Sequence, residues 1–402
     1  MVLLIAIWSL LALDQIHVVR GLHNGLSEIA DPWTESDTLR AAEGYAAQGF
    51  TANWGLPDLC YGRQFPDEGT KGMLRDSPGD AATWLLVNHA VAPSADRFVY
   101  THYPPGPHLI AGAMTAIWGT GHISRYRSIP IAVGLFAIAV LFSELWRSLG
   151  PWRAVAVSAA LAMIPMFSDM MHGLSYQGYA LALLLIECAI VLRVVRGAFR
   201  RHELVALLAV AFIQGWLGFD YVFLVVLAPV VITPALGAPM SRTTMFMCCV
   251  AALGFGIAHL LHFVQVALYL GGPMAAIRDF VSIGRFRALG SAYDNGVTLP
   301  STWRVLADYL VVQTALPRHF GVSVLWLSGI SWVAAWALER RSLLRGAARI
   351  ALALLVSSLW VAVMPQYAAQ HWHFIPRHYF LAVFAGVLGV AAASRTRVSS
   401  LA

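Results

Sequence analysis

Long apolar stretches separated by short polar connections make up most of this chain of 402 residues. A helix needs about 20 residues to cross the hydrocarbon core of a bilayer, which is about 30 Å thick. Stretches of suitable length occupy residues 2–20, 128–146, 152–168, 176–195, 204–219, 221–236, 243–268, 319–338, 347–364 and 377–394. The pattern predicts an all-α polytopic membrane protein, a single domain over 1–402, with a bundle of about 10–11 transmembrane helices.

The composition supports the membrane assignment and excludes some partners. The chain is 58% hydrophobic and 12% charged, whereas soluble domains are about 25% charged. The net charge of +6 does not indicate a nucleic-acid partner, because most arginines lie in short connections between apolar stretches, where they orient a membrane protein. The four cysteines have no spacing typical of a disulfide framework or a metal site. The first stretch lacks a basic start and a small-residue cleavage site, so we expect a retained helix rather than a signal peptide.

The arginines predict the topology. Basic clusters fall at every second connection, namely Arg147/Arg153, Arg193/Arg196/Arg200/Arg201, Arg242, Arg340/Arg341/Arg345/Arg349 and Arg395/Arg397. All of them can therefore lie on the cytoplasmic face. The loops 21–106, 269–318 and 364–379 are then expected on the opposite face, which in a bacterial inner membrane is the periplasmic side.

The placement of loop 21–106 depends on residues 107–121. This segment is short for a span and contains Pro, Gly and His, which favours a shallow or re-entrant helix. If it crossed the membrane instead, the long loop would be cytoplasmic, and the sequence leaves both arrangements open.

Two acids, Glu35 and Asp37, lie at the start of a short helix predicted over residues 37–48. In one interpretation, Thr34 and Asp37 form a capping box, and acids favour the start of a helix because of its dipole. In the other, a carboxylate at the membrane surface acts as a general base that accepts a proton from an attacking hydroxyl. The two interpretations are compatible, since a helix terminus also fixes a carboxylate in place.

The end of the first long loop combines His102 and Tyr103 with a proline-rich sequence. This combination is typical of a rigid stop before an interfacial helix, because each proline restricts the residue before it. A contact between His102 and substrate is the functional alternative.

The loop before the last apolar stretch contains His371, His373 and Arg377. Such a cluster indicates recognition of an anion, with phosphate the natural candidate. The alternative is an aromatic and basic belt at the membrane interface. A metal site on His371 and His373 is weakly indicated, because their spacing is i, i+2 and no third ligand is nearby.

Positive charge also occurs in loop 269–318, at Arg278 and Arg285 among others. Basic residues on this face depart from the usual charge bias of membrane proteins, and at the membrane plane they can hold a lipid phosphate. The alternative is that each is a solvated loop charge. Asp220, beside Tyr221, lies near enough to the same face to line a cavity.

The run from Trp33 to Phe50, with Glu35, Asp37, Gly49 and Phe50 in its motif positions, resembles the first outer loop of GT-C glycosyltransferases. That family includes protein O-mannosyltransferases and aminoarabinose transferases. The run Tyr103-Pro-Pro-Gly-Pro-His-Leu-Ile, followed by Trp118-Gly119 and Arg127-Ser-Ile-Pro, is similar to the proline-containing end of that loop and the helix after it. The likeness covers residues 30–200 by motif and the rest by its pattern of spans.

The resemblance implies a GT-C type bundle whose large first extracytoplasmic loop carries juxtamembrane helices. Asp37 matches the catalytic acid of the family and Glu35 its partner acid. Many members have adjacent acids, whereas Ser36 separates the two here, so the resemblance leaves open which carboxylate is the base. Some members use a divalent cation and others do not, so a cation on Glu35 and Asp37 stays open, and no other cofactor is implied.

The implied activity is inverting transfer of a sugar from a polyprenyl-phosphate donor to a hydroxyl of a glycan, lipid or protein acceptor. Contacts to the substrate or to its lipid phosphate are expected from His102, Tyr103, Arg278, Arg285, His371, His373 and Arg377. A transporter or flippase of lipid-linked sugars is the main alternative, and a non-enzymatic assembly subunit is a third. The absence of an internal repeat disfavours the transporter, since transporters commonly have two matching halves with broken helices.

Overall fold

A computed structural model describes residues 2–23, 25–27, 32–59, 99–162, 164–197, 200–289, 329, 331–334, 343–370 and 375–399. Within these ranges the regular secondary structure is helical, apart from an isolated bridge between Asp58 and Val99. The predicted all-α architecture is therefore confirmed for the described part of the chain.

The helices are α1 (Val2–Leu22), α2 (Pro32–Gln48), α3 (Gly106–Trp118), α4 (Ile123–Tyr126), α5 (Ser128–Leu149), α6 (Pro151–Ala162), α7 (Pro165–Ser168), α8 (Gln177–Val195), α9 (Arg201–Leu217), α10 (Val222–Ala235), α11 (Arg242–Tyr269), α12 (Pro273–Leu289), α13 (Leu343–Val363), α14 (Pro365–Gln370), α15 (Ile375–His378) and α16 (Phe380–Ser399). A single 3₁₀ turn occupies Ala52–Gly55.

Five helical segments of the described ranges are long and apolar enough to cross a membrane. They are Ile5–Leu22, Ile123–Leu149, Gln177–Val195, Arg242–Tyr269 and Gly346–Val363. Shorter apolar helices occupy Val222–Ala235 and Phe380–Ser394. The chain is thus a helical membrane protein. Most of the span predicted over 319–338 lies outside the described residues.

Two predicted spans are interrupted rather than continuous. The stretch 152–168 is divided between α6 and α7, and Pro165 begins the second piece. A proline lacks the backbone N–H that would continue the helix, and it disfavours helical geometry in the residue before it. The stretch 377–394 is likewise divided between α15 and α16, with a turn at Tyr379.

The centre of the bundle is α8, which packs against α5, α9 and α10. Beside it, α9 and α11 pack closely through glycines. A Cβ on Gly215 would lie 2.8 Å from the Phe255 carbonyl oxygen, and one on Gly254 would collide with the Leu208 carbonyl oxygen. Small residues let the two helix backbones approach each other closely. Such close packing stabilises helix contacts in a membrane, because the hydrophobic effect does not drive helices together in lipid.

The bundle has two chemically distinct ends. At the first, here called the arginine end, Glu144 accepts hydrogen bonds from Arg147, Arg193 and Arg196, at 2.6 to 3.1 Å. Glu203 also binds Arg193, at 3.0 Å. These contacts join the last turns of α5 and α8 to the first turn of α9. The opposite end, which carries the start of α5, α8 and α10, is here called the loop end.

Helix α3 has both of its ends at the loop end. At its start, Gly106 lies against the backbone of Trp216, in the last turn of α9. Just past its other end, the Gly119 carbonyl accepts a hydrogen bond from the hydroxyl of Tyr126, immediately before α5. The helix therefore does not cross the bundle, in agreement with the shallow helix expected for residues 107–121, and it packs against α2.

Helix α2 starts earlier than predicted. It begins at Pro32 rather than at residue 37, because proline suits the first turn of a helix, where its missing N–H has no helical partner. The predicted capping box is therefore wrong: Thr34 lies inside the helix, and its carbonyl accepts a hydrogen bond of 2.7 Å from the Thr38 hydroxyl. Leu39, Ala42 and Tyr45 are buried, whereas Ala46, expected on the same side of this helix, is exposed.

Candidate functional site

Helix α2 is fixed to the loop end by a buried ion pair. The Arg127 guanidinium donates to both oxygens of Glu35, over 2.7 Å to Oε1 and 2.8 Å to Oε2. Neither side chain has more than 1% of its area exposed. A bidentate pair of this kind sets both the distance and the angle between its two partners.

The remaining hydrogen-bonding capacity of this pair is used as well. Glu35 accepts backbone N–H bonds from Ser27, at 2.8 Å, and from Leu174, at 3.1 Å. Arg127 also donates to the carbonyls of Gly25, at 2.9 Å, and His172, at 2.7 Å. Breaking a buried, hydrogen-bonded charge pair costs about 3–5 kcal/mol, so the arrangement holds α2 rigidly.

His172 connects this pair to α1. Its Nε2 lies 2.8 Å from the Ser27 hydroxyl, and its Nδ1 lies 3.3 Å from Gln15 Oε1. Burial, reinforced by the neighbouring Arg127 guanidinium, lowers the pKa of His172 to about 4. The imidazole is therefore neutral near pH 7, and it bonds to neutral partners.

Asp37 differs from Glu35 although both lie on α2. Its side chain is 18% exposed, and its Oδ1 lies 3.7 Å from the buried guanidinium of Arg40. Arg40 follows Asp37 by three residues, which places both on one face of the helix. The structure thus distinguishes the two predicted acids: Glu35 is enclosed by donors, whereas Asp37 is partly accessible beside a cation.

A second group at the loop end surrounds Asp220, and we call it the tyrosine–aspartate cluster (Tyr103, Tyr176, Asp220 and Tyr367). Tyr103 donates to both Asp220 oxygens at 3.2 Å, and Tyr176 donates to Asp220 Oδ2. The hydroxyls of Tyr103 and Tyr367 are 2.6 Å apart. Burial, together with the Asp220 charge, raises the pKa of Tyr176 well above its usual value, so this phenol stays protonated and donates.

Aromatic rings enclose this cluster, and Arg377 lies nearby. Tyr103 stacks on Phe219 with ring centroids 4.4 Å apart, and His378 stacks on Tyr221 at 5.2 Å. Arg377 and His378 are both buried. Burial raises the pKa of the Tyr221 hydroxyl, the Arg377 charge lowers it, and the Asp220 charge raises it. Burial and the Arg377 charge lower the pKa of His378 to about 3, so this histidine is neutral and Arg377 supplies the positive charge.

One connection between helices joins the two groups. The loop before α8 supplies the His172 carbonyl and the Leu174 amide to the Glu35–Arg127 pair, and a few residues later it supplies Tyr176 to Asp220. The acids of α2 and the cluster next to Arg377 therefore lie at the same end of the bundle.

The end of the first long loop is fixed to α11 and α12. The Thr101 hydroxyl donates to Asp279 at 2.8 Å, and the Thr101 carbonyl lies 2.9 Å from His262 Nε2. Burial raises the pKa of Asp279, an effect that the Thr101 bond opposes. The neighbouring His102 is buried, with its ring 5.2 Å from that of Tyr100.

The other predicted contacts lie apart from this arrangement or outside the described residues. Arg278 and Arg285 are exposed on α12, whereas Asp279 between them points inward. His371 and His373 fall outside the described residues.

The family resemblance leaves open whether Glu35 and Asp37 hold a divalent cation. Among the described residues, no group of three or more His, Cys, Asp or Glu side chains is arranged to hold a metal ion. Both oxygens of Glu35 already accept hydrogen bonds from Arg127 and from backbone amides. Glu35 and Asp37 therefore do not fit as a ligand pair for a divalent cation.

Comparisons with protein-family models, with curated proteins and with solved structures find no significant match to this chain.

Sequence reasoning did not find the partners of these residues. Arg127 lies in the run Arg127-Ser-Ile-Pro, but nothing in its spacing from Glu35 indicates that the two side chains pair. Tyr176 and Tyr367 have no distinguishing sequence signal, because single tyrosines at the ends of apolar stretches are typical of any membrane interface. The position of Asp220 next to a span does indicate that it has partners, because an unpaired carboxylate at that depth in the membrane costs free energy.

Proposed function

We propose that this protein is a membrane glycosyltransferase of the GT-C type. In this proposal it transfers a sugar, with inversion, from a polyprenyl-phosphate donor to a hydroxyl acceptor at the loop end, which we assign to the extracytoplasmic side. The observation that carries the proposal is that two acids on one surface helix differ in environment. Glu35 is immobilised by Arg127, and Asp37, two residues later, is left partly accessible.

Asp37 is the proposed general base. A base must reach the proton that it removes, and a carboxylate with exposed area can do so. The Arg40 guanidinium lies 3.7 Å from Asp37 Oδ1, so a positive charge lies next to the proposed base. The role of Glu35 differs from that of the partner acid implied by the family resemblance. It positions α2, since all of its contacts are with donors that fix the helix.

Arg377 is the proposed partner of the donor phosphate. When the anomeric carbon is attacked, the departing lipid phosphate gains negative charge, and a fixed cation stabilises that charge. Arg377 is buried beside Tyr221 and His378, at the same end of the bundle as α2. Because His378 is neutral there, the guanidinium is the group that supplies the positive charge.

The test uses purified protein and a panel of radiolabelled polyprenyl-phosphate sugars with a mixture of hydroxyl acceptors. Wild type is expected to form a glycosidic bond and release polyprenyl phosphate from one of these donors. Asp37→Asn is expected to lower turnover by about 10²–10⁴-fold, the usual contribution of a general base. Glu43→Gln, on the same helix, is the matched control and should keep most of the activity. Full activity of Asp37→Asn would reject the assignment of the base.

A transporter of lipid-linked sugars is the second candidate, and one observation favours it. Glu187 is buried in the most enclosed span and accepts a 3.0 Å hydrogen bond from Gln214 on the neighbouring helix. In the described part of the chain, its other oxygen has no hydrogen-bond partner. Ionisable groups inside a membrane often mark an ion pathway. Movement of a lipid-linked sugar across vesicles that depends on Glu187, without bond formation, would favour this candidate.

A further inference from the structure

Helix α12 has two faces of opposite character. Ala276, Asp279 and Ile283 are buried on its inner face. Asp279 binds Thr101, and the ring of Phe280 lies 5.6 Å from that of His262 and 5.9 Å from that of Phe263. These contacts fix the rotation of α12 about its own axis, so its outer face is set by the fold.

The outer face combines apolar and positively charged side chains in one stripe. Each member lies three or four residues from at least one other member, which places all of them on a single side of the helix. They are Met274, Ile277, Arg278, Val281 and Arg285. All five are exposed, with 60% of Met274, 43% of Ile277 and 48% of Val281 accessible. Neither arginine forms an ion pair with a described residue.

This stripe continues the lipid-facing surface of the preceding span. Near its loop end, α11 exposes Leu260, Leu261, Val264 and Leu268. Because α11 is long and apolar enough to cross the membrane, this face lies against lipid chains. Helix α12 begins four residues after α11 ends, so its outer face is close to the boundary between the lipid chains and the head groups.

We infer that the outer stripe of α12 is a binding surface for anionic phospholipids of the surrounding membrane. The three apolar side chains insert among the upper parts of the lipid chains, and Arg278 and Arg285 bind lipid phosphates. A guanidinium suits this task because it can donate two parallel hydrogen bonds to one phosphate. These arginines therefore bind bulk lipid rather than the sugar donor, because they face away from the contacts made by Asp279.

The test measures lipid binding and requires no turnover, so its outcome is independent of the proposed glycosyl transfer. Protein in detergent is titrated with phosphatidylglycerol or with phosphatidylcholine, and bound lipids are counted by native mass spectrometry. Replacing both arginines (Arg278→Gln with Arg285→Gln) should weaken the preference for phosphatidylglycerol by about fivefold for each arginine removed. The corresponding double lysine variant should keep much of the preference, since it keeps the charge.

The matched control replaces Arg20 and Arg125 with glutamine, because both are exposed arginines that lie near the loop end but outside the stripe. This control should keep the preference of wild type. An unchanged preference in the α12 double variant, or an equal loss in the control, would overturn the inference. It would also be overturned if the α12 variant lost binding of a polyprenyl phosphate and kept that of phosphatidylglycerol, because the arginines would then serve the donor.

Discussion

Glu35 and Arg127 are 92 residues apart in the chain, and they meet through two hydrogen bonds of 2.7 and 2.8 Å in a fully buried setting. The pair joins the first long loop to the start of α5. It also sets the position of Asp37 on the next part of the same helix. The Glu35–Arg127 pair therefore determines where Asp37, the proposed base, lies. The contribution of this pair to stability can be measured separately from the contribution of Asp37 to catalysis.

Arg127→Gln should destabilise the protein by about 3–5 kcal/mol, because it leaves the Glu35 carboxylate buried without its cation. Unfolding in detergent, followed by circular dichroism, measures the loss. Adding Glu35→Gln should recover part of it, since the uncompensated charge disappears and the two effects are coupled. Arg147→Gln is the control: the Arg147 side chain is 56% exposed, so its ion pair with Glu144 contributes about 1 kcal/mol or less. Similar losses for both arginines would contradict the structural role of the buried pair.

The hydroxyl of Tyr176 should contribute more to stability than that of Tyr179. Tyr176→Phe removes a donor to buried Asp220 and should cost about 1–3 kcal/mol. Tyr179 lies three residues later, in the first turn of α8, and is also buried, but its hydroxyl has no hydrogen-bond partner among the described residues. Tyr179→Phe should therefore be neutral or stabilising. The same unfolding assay compares the two variants, and a larger loss for Tyr179→Phe would refute the assigned bonds.

His172 should make the protein less stable as the pH falls. Its pKa is about 4 in the folded state, below the usual 6.5 of an unfolded histidine. The unfolded chain therefore binds the proton first. The contribution of neutral His172 is fully present above about pH 6.5 and is lost between about pH 6.5 and 4. At pH 5 the loss from this single group is about 2 kcal/mol.

The measurement for this prediction is the free energy of unfolding between about pH 8 and pH 5. His172→Gln removes the titrating group, so its stability should fall less steeply with acidification than that of wild type. The exposed His122 provides the control, and His122→Gln should leave the slope unchanged. A slope that is identical in wild type and His172→Gln would show that His172 does not titrate as described.

Labelling with a membrane-impermeant maleimide should reveal the two ends of the bundle. Single cysteines at Ala47 and Thr120, both exposed near the ends of α2 and α3, should react from the same side of the membrane. A cysteine at exposed Arg200 should react only from the other side. The experiment needs a background without Cys60 and Cys249. Reaction of the Thr120 and Arg200 positions from one side would mean that α3 crosses the membrane.

Much of the fold could be predicted because the signals are local. The apolar stretches that became α1, α5, α8, α11 and α13 are visible as runs of sequence, since lipid requires a helix of nearly fixed length. The start of α2 was missed by five residues because Pro32 and Trp33 precede the pattern of buried positions. The break before α7 has a local signal in Pro165, which a hydropathy pattern does not register. The turn at Tyr379 has no such signal in the apolar pattern.

The sequence by itself determined that this is a helical membrane protein, with basic clusters at every second connection between apolar stretches and two acids at the start of a short helix in its first long loop. Each of these properties follows from residue type and spacing along the chain. Only the tertiary structure decided that Glu35 is closed by Arg127 while Asp37 stays accessible, and that Arg278 and Arg285 face outward while Asp279 faces inward. The physical reason is that burial and pairing depend on contacts between residues far apart in the chain, and side chains of the same type acquire different properties from those contacts.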